Sequence, residues 1–157
     1  MNIFKKLIFI GAIFLSLMSG VASAQTTTSP NFVQEEKNRA LVIKFYNSFF
    51  NNHQVDEAAK VLADDYKQHN PTVPDGKAPF VSFFKDFFNE NPHSRARIIR
   101  SAVDGDIVWL HVHSINGEND LGEAVVDIFR VENGKIVEHW DVIQAVPLKV
   151  ENNNTMF

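Results

Sequence analysis

The pattern of apolar and polar positions divides the chain into a helical first part and a second part built of strands. Up to residue 89 the apolar residues recur at intervals of three and four, the period of an amphipathic helix. From residue 94 onward apolar and polar residues alternate, as they do in a half-buried strand. The pattern predicts helices over about 32–51, 55–62 and 78–89, and strands over about 95–103, 106–115, 122–132 and 135–146.

Two turn signals join these strands into an antiparallel meander. Asp104-Gly105 and Asn133-Gly134 each lie between alternating runs, and such pairs favour the positive φ angles of tight hairpin turns. Helices that precede an antiparallel meander are typical of an α+β domain with the helices on one face of a sheet.

The register of the second hairpin makes Asp127 a candidate functional residue. If Asn133 and Gly134 are the two turn residues, counting outward places Asp127 opposite Trp140 on one face of the sheet. A carboxyl group against an apolar wall has its charged form disfavoured, which suits a general acid or base. The alternative is a structural Asp paired with an Arg or with the Trp N–H. The same register places His139 on the other face, as a structural or interface residue.

Further candidate residues precede and follow the third helix. Tyr66, Gln68, His69 and Asn70 form a predicted loop before Pro71, where they could hold a ligand or merely satisfy the loop backbone. The third helix has an aromatic stripe that we interpret as core and as the wall of an apolar pocket, with Phe80, Phe83, Phe84, Phe87 and Phe88. On the strand over 106–115, His111 and His113 share one face.

The length of 157 residues is enough for one domain. Lys5 and Lys6, the apolar run 7–18 and the small residues 22–24 predict a cleavable secretory signal peptide over 1–24, with a run too short to span a membrane. The predicted organisation continues with a flexible leader over 25–33, a domain over 34–147 and a C-terminal tail over 148–157. The mature protein is expected in the periplasm or outside the cell, away from the membrane.

Composition excludes several functional classes. The formal net charge is −4, and removal of the predicted signal peptide lowers it by two units because that segment carries two Lys and no acid. With no basic run, nucleic acid is not an expected partner. With no cysteine, neither disulfides nor a lipid anchor on Cys is expected.

The motifs along the chain occur in an order that resembles the SnoaL-like polyketide cyclase family of the nuclear-transport-factor-2-like superfamily. The resemblance covers about residues 34–147. It rests on Tyr66-x-Gln68-His69-Asn70-Pro71, His111-Val112-His113, Asp127-Ile128-Phe129-Arg130, and Asn133-Gly134-Lys135-Ile136-Val137-Glu138-His139-Trp140-Asp141. It implies a cone-shaped fold in which a curved antiparallel sheet wraps around three N-terminal helices and encloses a deep pocket.

The resemblance also implies acid/base chemistry without a metal or cofactor. In cyclases of this family a strand Asp shuttles a proton during an intramolecular aldol condensation, and Asp127 matches that position. His69 matches a histidine that helps to hold the substrate carbonyl, and a second one is matched by His113 or His111, with His113 preferred. The remaining expected substrate contacts are Tyr66, Gln68, Asn70, His111, Trp140 and Phe84.

The expected function is therefore acid/base catalysis on an apolar carbonyl compound by an exported protein of the lyase or isomerase class. One alternative is a non-catalytic domain that binds a small molecule or docks a partner, because this superfamily contains many such domains. Another is an epoxide hydrolase in which Asp127, Asn70 and Tyr66 hold a water. A further alternative is a metal ion held by His111, His113 and Asp127, although the sequence indicates no other metal ligands beside them.

The predicted oligomer is a homodimer. On the strand that carries Asp127, the opposite face holds Ala124, Val126 and Ile128, and it is too apolar for a solvated face.

Overall fold

The computed structural model describes residues 30–157, so the predicted signal peptide and most of the leader lie outside the described residues. The helices are α1 (Phe32–Tyr46), which continues as a π-helical turn (Asn47–Asn51), α2 (Val55–Ala58), followed by a 3₁₀ turn (Ala59–Val61), and α3 (Lys77–Glu90). The strands are β1 (Leu62–Gln68), β2 (Arg95–Asp104), β3 (Ile107–Ile115), β4 (Glu123–Glu132) and β5 (Lys135–Ala145). None of the described helices is long and apolar enough to cross a bilayer.

The five strands form one sheet in the order β1-β5-β4-β3-β2. The predicted meander of β2 to β5 is confirmed, as is the α+β class with helices packed on one face. The fifth strand, β1, pairs in parallel with β5 and was not predicted. The sequence pattern predicts a helix that ends near residue 62 and a loop from Tyr66, whereas Leu62–Gln68 forms this strand.

An aromatic core fills the space between the helices and the inner face of the sheet. Phe49 is fully buried and stacks on Phe80 of α3, with ring centroids 5.1 Å apart. Phe45 meets Phe129 of β4 edge-on at 6.1 Å. Each such buried Phe contributes about 1.5–3 kcal/mol relative to an exposed one. The Phe-rich helices therefore serve first as the core, as the sequence predicted.

The β4–β5 register differs from the predicted one. Glu132 pairs with Lys135 and Val131 with Ile136, but Arg130 pairs with Glu138, so Val137 is an extra residue on β5. This is a β-bulge, which two strands adopt without losing the alternation on either side of it.

The bulge changes which side chains share a face. Asp127 lies opposite Asp141, whereas Trp140 lies opposite Ile128 on the outer face. The predicted contact between Asp127 and Trp140 is wrong for this reason, since a slip of one residue moves every following side chain to the other face. His139, expected on the outer face, lies opposite Phe129 on the inner face and is buried.

The outer face of the sheet carries an apolar cross-strand pair, Val126 and Val142, with exposed fractions of 39% and 66%. The C-terminal Phe157 packs on the same sheet, its ring 4.2 Å from that of His113. The homodimer through this face stays a prediction.

Gly122 generates the first testable prediction. It adopts a φ of +76°, and an added Cβ would overlap the carbonyl oxygen of Ser114. We expect Gly122→Ala to lower the free energy of unfolding by roughly 3 kcal/mol, from left-handed strain and the steric overlap together. Gly105→Ala is the matched control, because Gly105 has a φ of +60° but open space around its Cβ position, and should cost about 1 kcal/mol. Urea unfolding would measure both, and equal losses would contradict the steric argument.

Candidate active site

A cavity of about 240 Å³ lies between the helices and the inner face of the sheet. One wall is aromatic and includes Phe50, Phe80, Phe83, Phe84, Phe87 and Phe129. Facing it are polar side chains from β1, β4, β5 and the segment after β1, namely Gln68, Asn70, Thr72, Asp127, His139 and Asp141. An apolar cavity with a few converging polar groups is the usual form of a small-molecule site.

Asp127 is the most deeply buried acid of this polar wall, with 5% of its surface exposed. The Tyr46 hydroxyl, from the end of α1, donates a hydrogen bond of 2.8 Å to Asp127 Oδ2. His139 Nε2 lies 2.9 Å from Asp127 Oδ1. Both carboxyl oxygens are thus bonded by groups that the rest of the fold holds in place.

The second ring nitrogen of His139 identifies where its proton lies. Nδ1 is 2.9 Å from Gln68 Oε1, and the same oxygen accepts a 2.9 Å hydrogen bond from the Asn70 backbone N–H. The backbone donor fixes the Gln68 amide with its oxygen toward His139, so Nδ1 must carry a proton and donate it.

It follows that Asp127 and His139 share a further proton. With Nδ1 protonated, a neutral His139 has only a lone pair at Nε2, which cannot face a carboxylate oxygen at 2.9 Å without a hydrogen between them. Either Asp127 donates to Nε2, or His139 is an imidazolium that donates to Asp127. The pair is electrically neutral in both forms, which avoids the cost of burying an isolated carboxylate.

The two tyrosines of the site are proton donors. Burial raises the pKa of Tyr46 well above its ordinary value, and the neighbouring Asp127 raises it further. Burial likewise raises the pKa of Tyr66, with contributions from Asp127 and Asp141. The Tyr66 oxygen accepts from Gln68 Nε2 at 3.3 Å, and no hydrogen-bond acceptor for its own proton occurs among residues 30–157. This hydroxyl hydrogen is therefore available to a ligand oxygen.

Asp141 brings a second carboxyl group to the cavity, directly across the strand pair from Asp127. Asn70 donates a 2.6 Å hydrogen bond to Asp141 Oδ2 through its side-chain amide. The Asn70 oxygen accepts from the backbone N–H and the hydroxyl of Thr72, which fixes the amide orientation.

Within the described part of the chain, Asp127, His139 and Asp141 form the group whose ligand atoms could hold a metal ion, all within 4.8 Å of one another. This set differs from the combination that the sequence suggests, which is His111, His113 and Asp127. A metal here would have to displace the proton that Asp127 and His139 share.

Five of the sequence-predicted residues meet at the cavity: Asp127, Tyr66, Gln68, Asn70 and Phe84. Four do not, and they are corrections to the predicted site: His69, His111, His113 and Trp140. His69 stacks on Trp140 with ring centroids 4.7 Å apart, and its Nε2 lies 2.8 Å from Glu138 Oε1. His113 Nε2 is 2.9 Å from the Leu121 carbonyl oxygen.

The reason for these placements is alternation along the strands. His69 follows Gln68 and precedes Asn70, both buried, so its own side chain lies on the outer face of the sheet. His111 and His113 alternate with Leu110 and Val112, which are fully buried, so the histidines also lie on the outer face.

Three site residues escaped the sequence reasoning: Tyr46, His139 and Asp141. Tyr46 is a buried residue at the end of α1, and an aromatic ring at helical spacing is typical of core rather than of a site. His139 and Asp141 follow the bulge, so the predicted register placed them on the outer face. Only a register with one extra residue on β5 would have brought them beside Asp127.

Comparisons with known proteins agree with this architecture. The family described as SnoaL-like polyketide cyclase matches residues 40–151. No curated protein gives a significant match.

Three solved structures are similar in fold. A candidate ketosteroid isomerase from Kribbella flavida aligns with a TM-score of 0.62 and 20% identity, covering 79% of this chain and 90% of its own. An NTF2-like protein from Cytophaga hutchinsonii aligns with a TM-score of 0.58 and 16% identity, covering 68% of this chain and 89% of its own. An LEH-like epoxide hydrolase from M. tuberculosis aligns with a TM-score of 0.58 and 20% identity, covering 71% of this chain and 85% of its own. At these identities the likeness shows the fold alone.

The raised tyrosine pKa values give a prediction that needs no substrate. The chain has two tyrosines, so absorbance at 295 nm reports Tyr46 and Tyr66 together. We expect no phenol ionisation in the folded protein near the ordinary value of 10.0, and a rise only on alkaline unfolding. Because the folded-state pKa is raised, the stabilisation is complete below pH 10 and is lost as the pH rises above it. A rise with a midpoint near 10 in the folded protein would contradict the burial of both hydroxyls.

The proton shared by Asp127 and His139 can be tested by comparing two variants. Asp127→Asn keeps both contacts, because the amide can accept from Tyr46 and donate to the neutral His139 Nε2, so we expect a loss of about 1 kcal/mol. His139→Ala leaves the buried Asp127 without its proton-sharing partner and should cost about 3–5 kcal/mol. Urea unfolding at neutral pH measures both. Equal losses would mean that the pair does not share a proton.

Proposed function

The chain belongs to the SnoaL-like polyketide cyclase family, and we propose that it transfers a proton at a carbon next to the carbonyl group of a small, largely apolar molecule. The observation that carries the proposal is the buried Asp127–His139 pair, whose 2.9 Å contact requires a shared proton, at the wall of an aromatic cavity. Acid/base catalysis needs a group that accepts and returns a proton near neutral pH.

Asp127 is the proposed base. Each of its oxygens accepts or shares one hydrogen bond and retains a second lone pair, which can take a proton from the substrate carbon. The C–H bond breaks, its electron pair forms the enolate, and the Asp127–His139 pair then holds two protons and a positive charge. That charge opposes the negative charge of the enolate within the same cavity.

Tyr66 is the proposed donor to the substrate oxygen. Tyr66 lines the cavity, and its hydroxyl stays protonated because of its raised pKa and has a proton without an acceptor in residues 30–157. A hydrogen bond to the carbonyl oxygen strengthens as that oxygen gains negative charge. Tyr66 thus replaces the histidines, His69 and His113, to which the sequence had given this role.

The enolate has two outcomes that need no cofactor. The proton can return at another carbon, which is an isomerisation, or the enolate carbon can attack a second carbonyl of the same molecule, which is an aldol cyclisation. The ketosteroid isomerase and the epoxide hydrolase with similar folds do not choose between these reactions for this chain. With the predicted signal peptide, the reaction would take place outside the cytoplasm.

The test is exchange of the α-hydrogens of 2-tetralone for deuterium, followed by NMR. The purified protein should accelerate exchange, and Asp127→Asn should lower the rate by about 10²–10⁴-fold while ketone affinity stays within about tenfold. Tyr66→Phe should lower it by roughly 10²–10³-fold, because the donor to the enolate oxygen is lost.

The matched controls lie on the outer face. His113→Asn and Trp140→Phe should leave the exchange rate unchanged, since neither side chain lines the cavity. If Asp127→Asn retains the wild-type rate, Asp127 is not the base. If the wild-type protein binds the ketone but does not accelerate exchange, the non-catalytic binding domain is the better description.

A further inference from the structure

The charged side chains that line the cavity indicate the charge of its ligand. Among the described lining residues there are three acids, Asp127, Asp141 and Glu123, and neither lysine nor arginine. The histidine of the lining, His139, already compensates Asp127 through their shared proton. Asp141 and Glu123 therefore leave the cavity with a negative potential, which disfavours a carboxylate or phosphate ligand.

Asp141 offers a specific contact for a positive group. Its Oδ2 accepts from Asn70, but no hydrogen bond to Oδ1 is found from residues 30–157. An N–H donor of a ligand can bind this oxygen without breaking any contact of the site. A charge-assisted hydrogen bond of this kind is roughly twice as strong as a neutral one.

The aromatic wall also favours a positively charged ligand. The six phenylalanine rings of the cavity carry partial negative charge on their faces, and an ammonium group within about 6 Å of a ring centre is attracted to it. The attraction is stronger where water is excluded. A carboxylate gains nothing from these faces.

The volume of the cavity limits the size of the ligand. Pockets for drug-sized molecules usually measure about 300–1,000 Å³. The cavity here measures about 240 Å³, which suits one ring or two fused rings rather than a larger polycyclic skeleton.

We propose that the ligand is a compound of one or two rings that carries an ammonium group, bound at Asp141 with its ring against the phenylalanine wall. The inference names the substrate class of the reaction proposed above and rests on that proposal only for the carbonyl group that Tyr66 would bind. The ammonium group lies beside the reacting region, because Asp141 is opposite Asp127.

A metal ion is the competing occupant of the same acids. Its binding at Asp127, His139 and Asp141 would require the loss of the shared proton. An ammonium group requires no such change, because it uses Asp141 Oδ1 alone. The described hydrogen bonds therefore favour the organic cation.

The experiment is calorimetric titration of the purified protein with three probes on one ring system: 2-aminotetralin, 2-tetralone and tetralin-2-carboxylate. We expect the amine to bind at least tenfold more tightly than the ketone, and the carboxylate to bind more weakly than both. Asp141→Asn should reduce the preference for the amine over the ketone to within about threefold and leave ketone affinity unchanged. Glu138→Gln, an outer-face acid, is the control and should change none of the three affinities.

Equal affinities for amine and carboxylate, or an amine preference that survives Asp141→Asn, would overturn the proposal. So would Zn²⁺ binding that displaces the amine and is lost in both Asp141→Asn and Asp127→Asn, because the acids would then be metal ligands. The deuterium-exchange assay separates this result from the proposed function. If the protein accelerates exchange but does not prefer the amine, only the proposed substrate class is wrong. If it prefers the amine but does not accelerate exchange, only the proposed catalysis is wrong.

Discussion

The buried carboxyl group of Asp127 is the constraint on which the rest of the site depends. An acid with 5% exposure is tolerated only if its oxygens are bonded and its charge is compensated. Those requirements are met by Tyr46 from α1 and His139 from β5, and His139 is itself held by Gln68 at the end of β1. One acid thus ties three separate elements to β4, and the groups that make its burial possible are also the groups that would let it exchange a proton.

The bulge at Val137 determines which side chains of β5 face the cavity. Without this extra residue, Glu138 and Trp140 would face the helices, and a charged acid would be forced into the aromatic core. With it, His139 and Asp141 face inward, while Glu138 lies outside with Arg130 and His69. Those outer contacts lower the pKa of Glu138, with the His69 hydrogen bond as the main cause, and they keep this acid ionised at the surface.

Much of the fold follows from local sequence signals, but the pairing register of β4 and β5 does not. The Asn133-Gly134 turn, with Asn133 at a φ of +50°, could be predicted because few sequences adopt positive φ at two successive positions. The inward direction of Asp127 and the role of Phe84 as cavity wall followed from alternation and helical spacing. The bulge could not be predicted, because the alternation is regular on both sides of it and only three-dimensional packing selects the slipped pairing. Tyr46 carries no sequence signal of a site residue, because its ring packs in the core and only its hydroxyl reaches Asp127.

The position of β1 in the sheet directs neighbouring side chains to opposite faces, and these faces have different roles. Gln68 and Asn70 face the cavity and orient His139 and Asp141, while His69 between them faces outward. The backbone N–H of His69 donates to the carbonyl oxygen of His139, so the parallel pairing continues to the site itself. Gln68 and His139 are therefore positioned beside Asp127 by strand register, and Tyr46 by helix α1. Side chains held in this way lose little further freedom when a ligand binds, which is the preorganisation that a proton-transfer site requires.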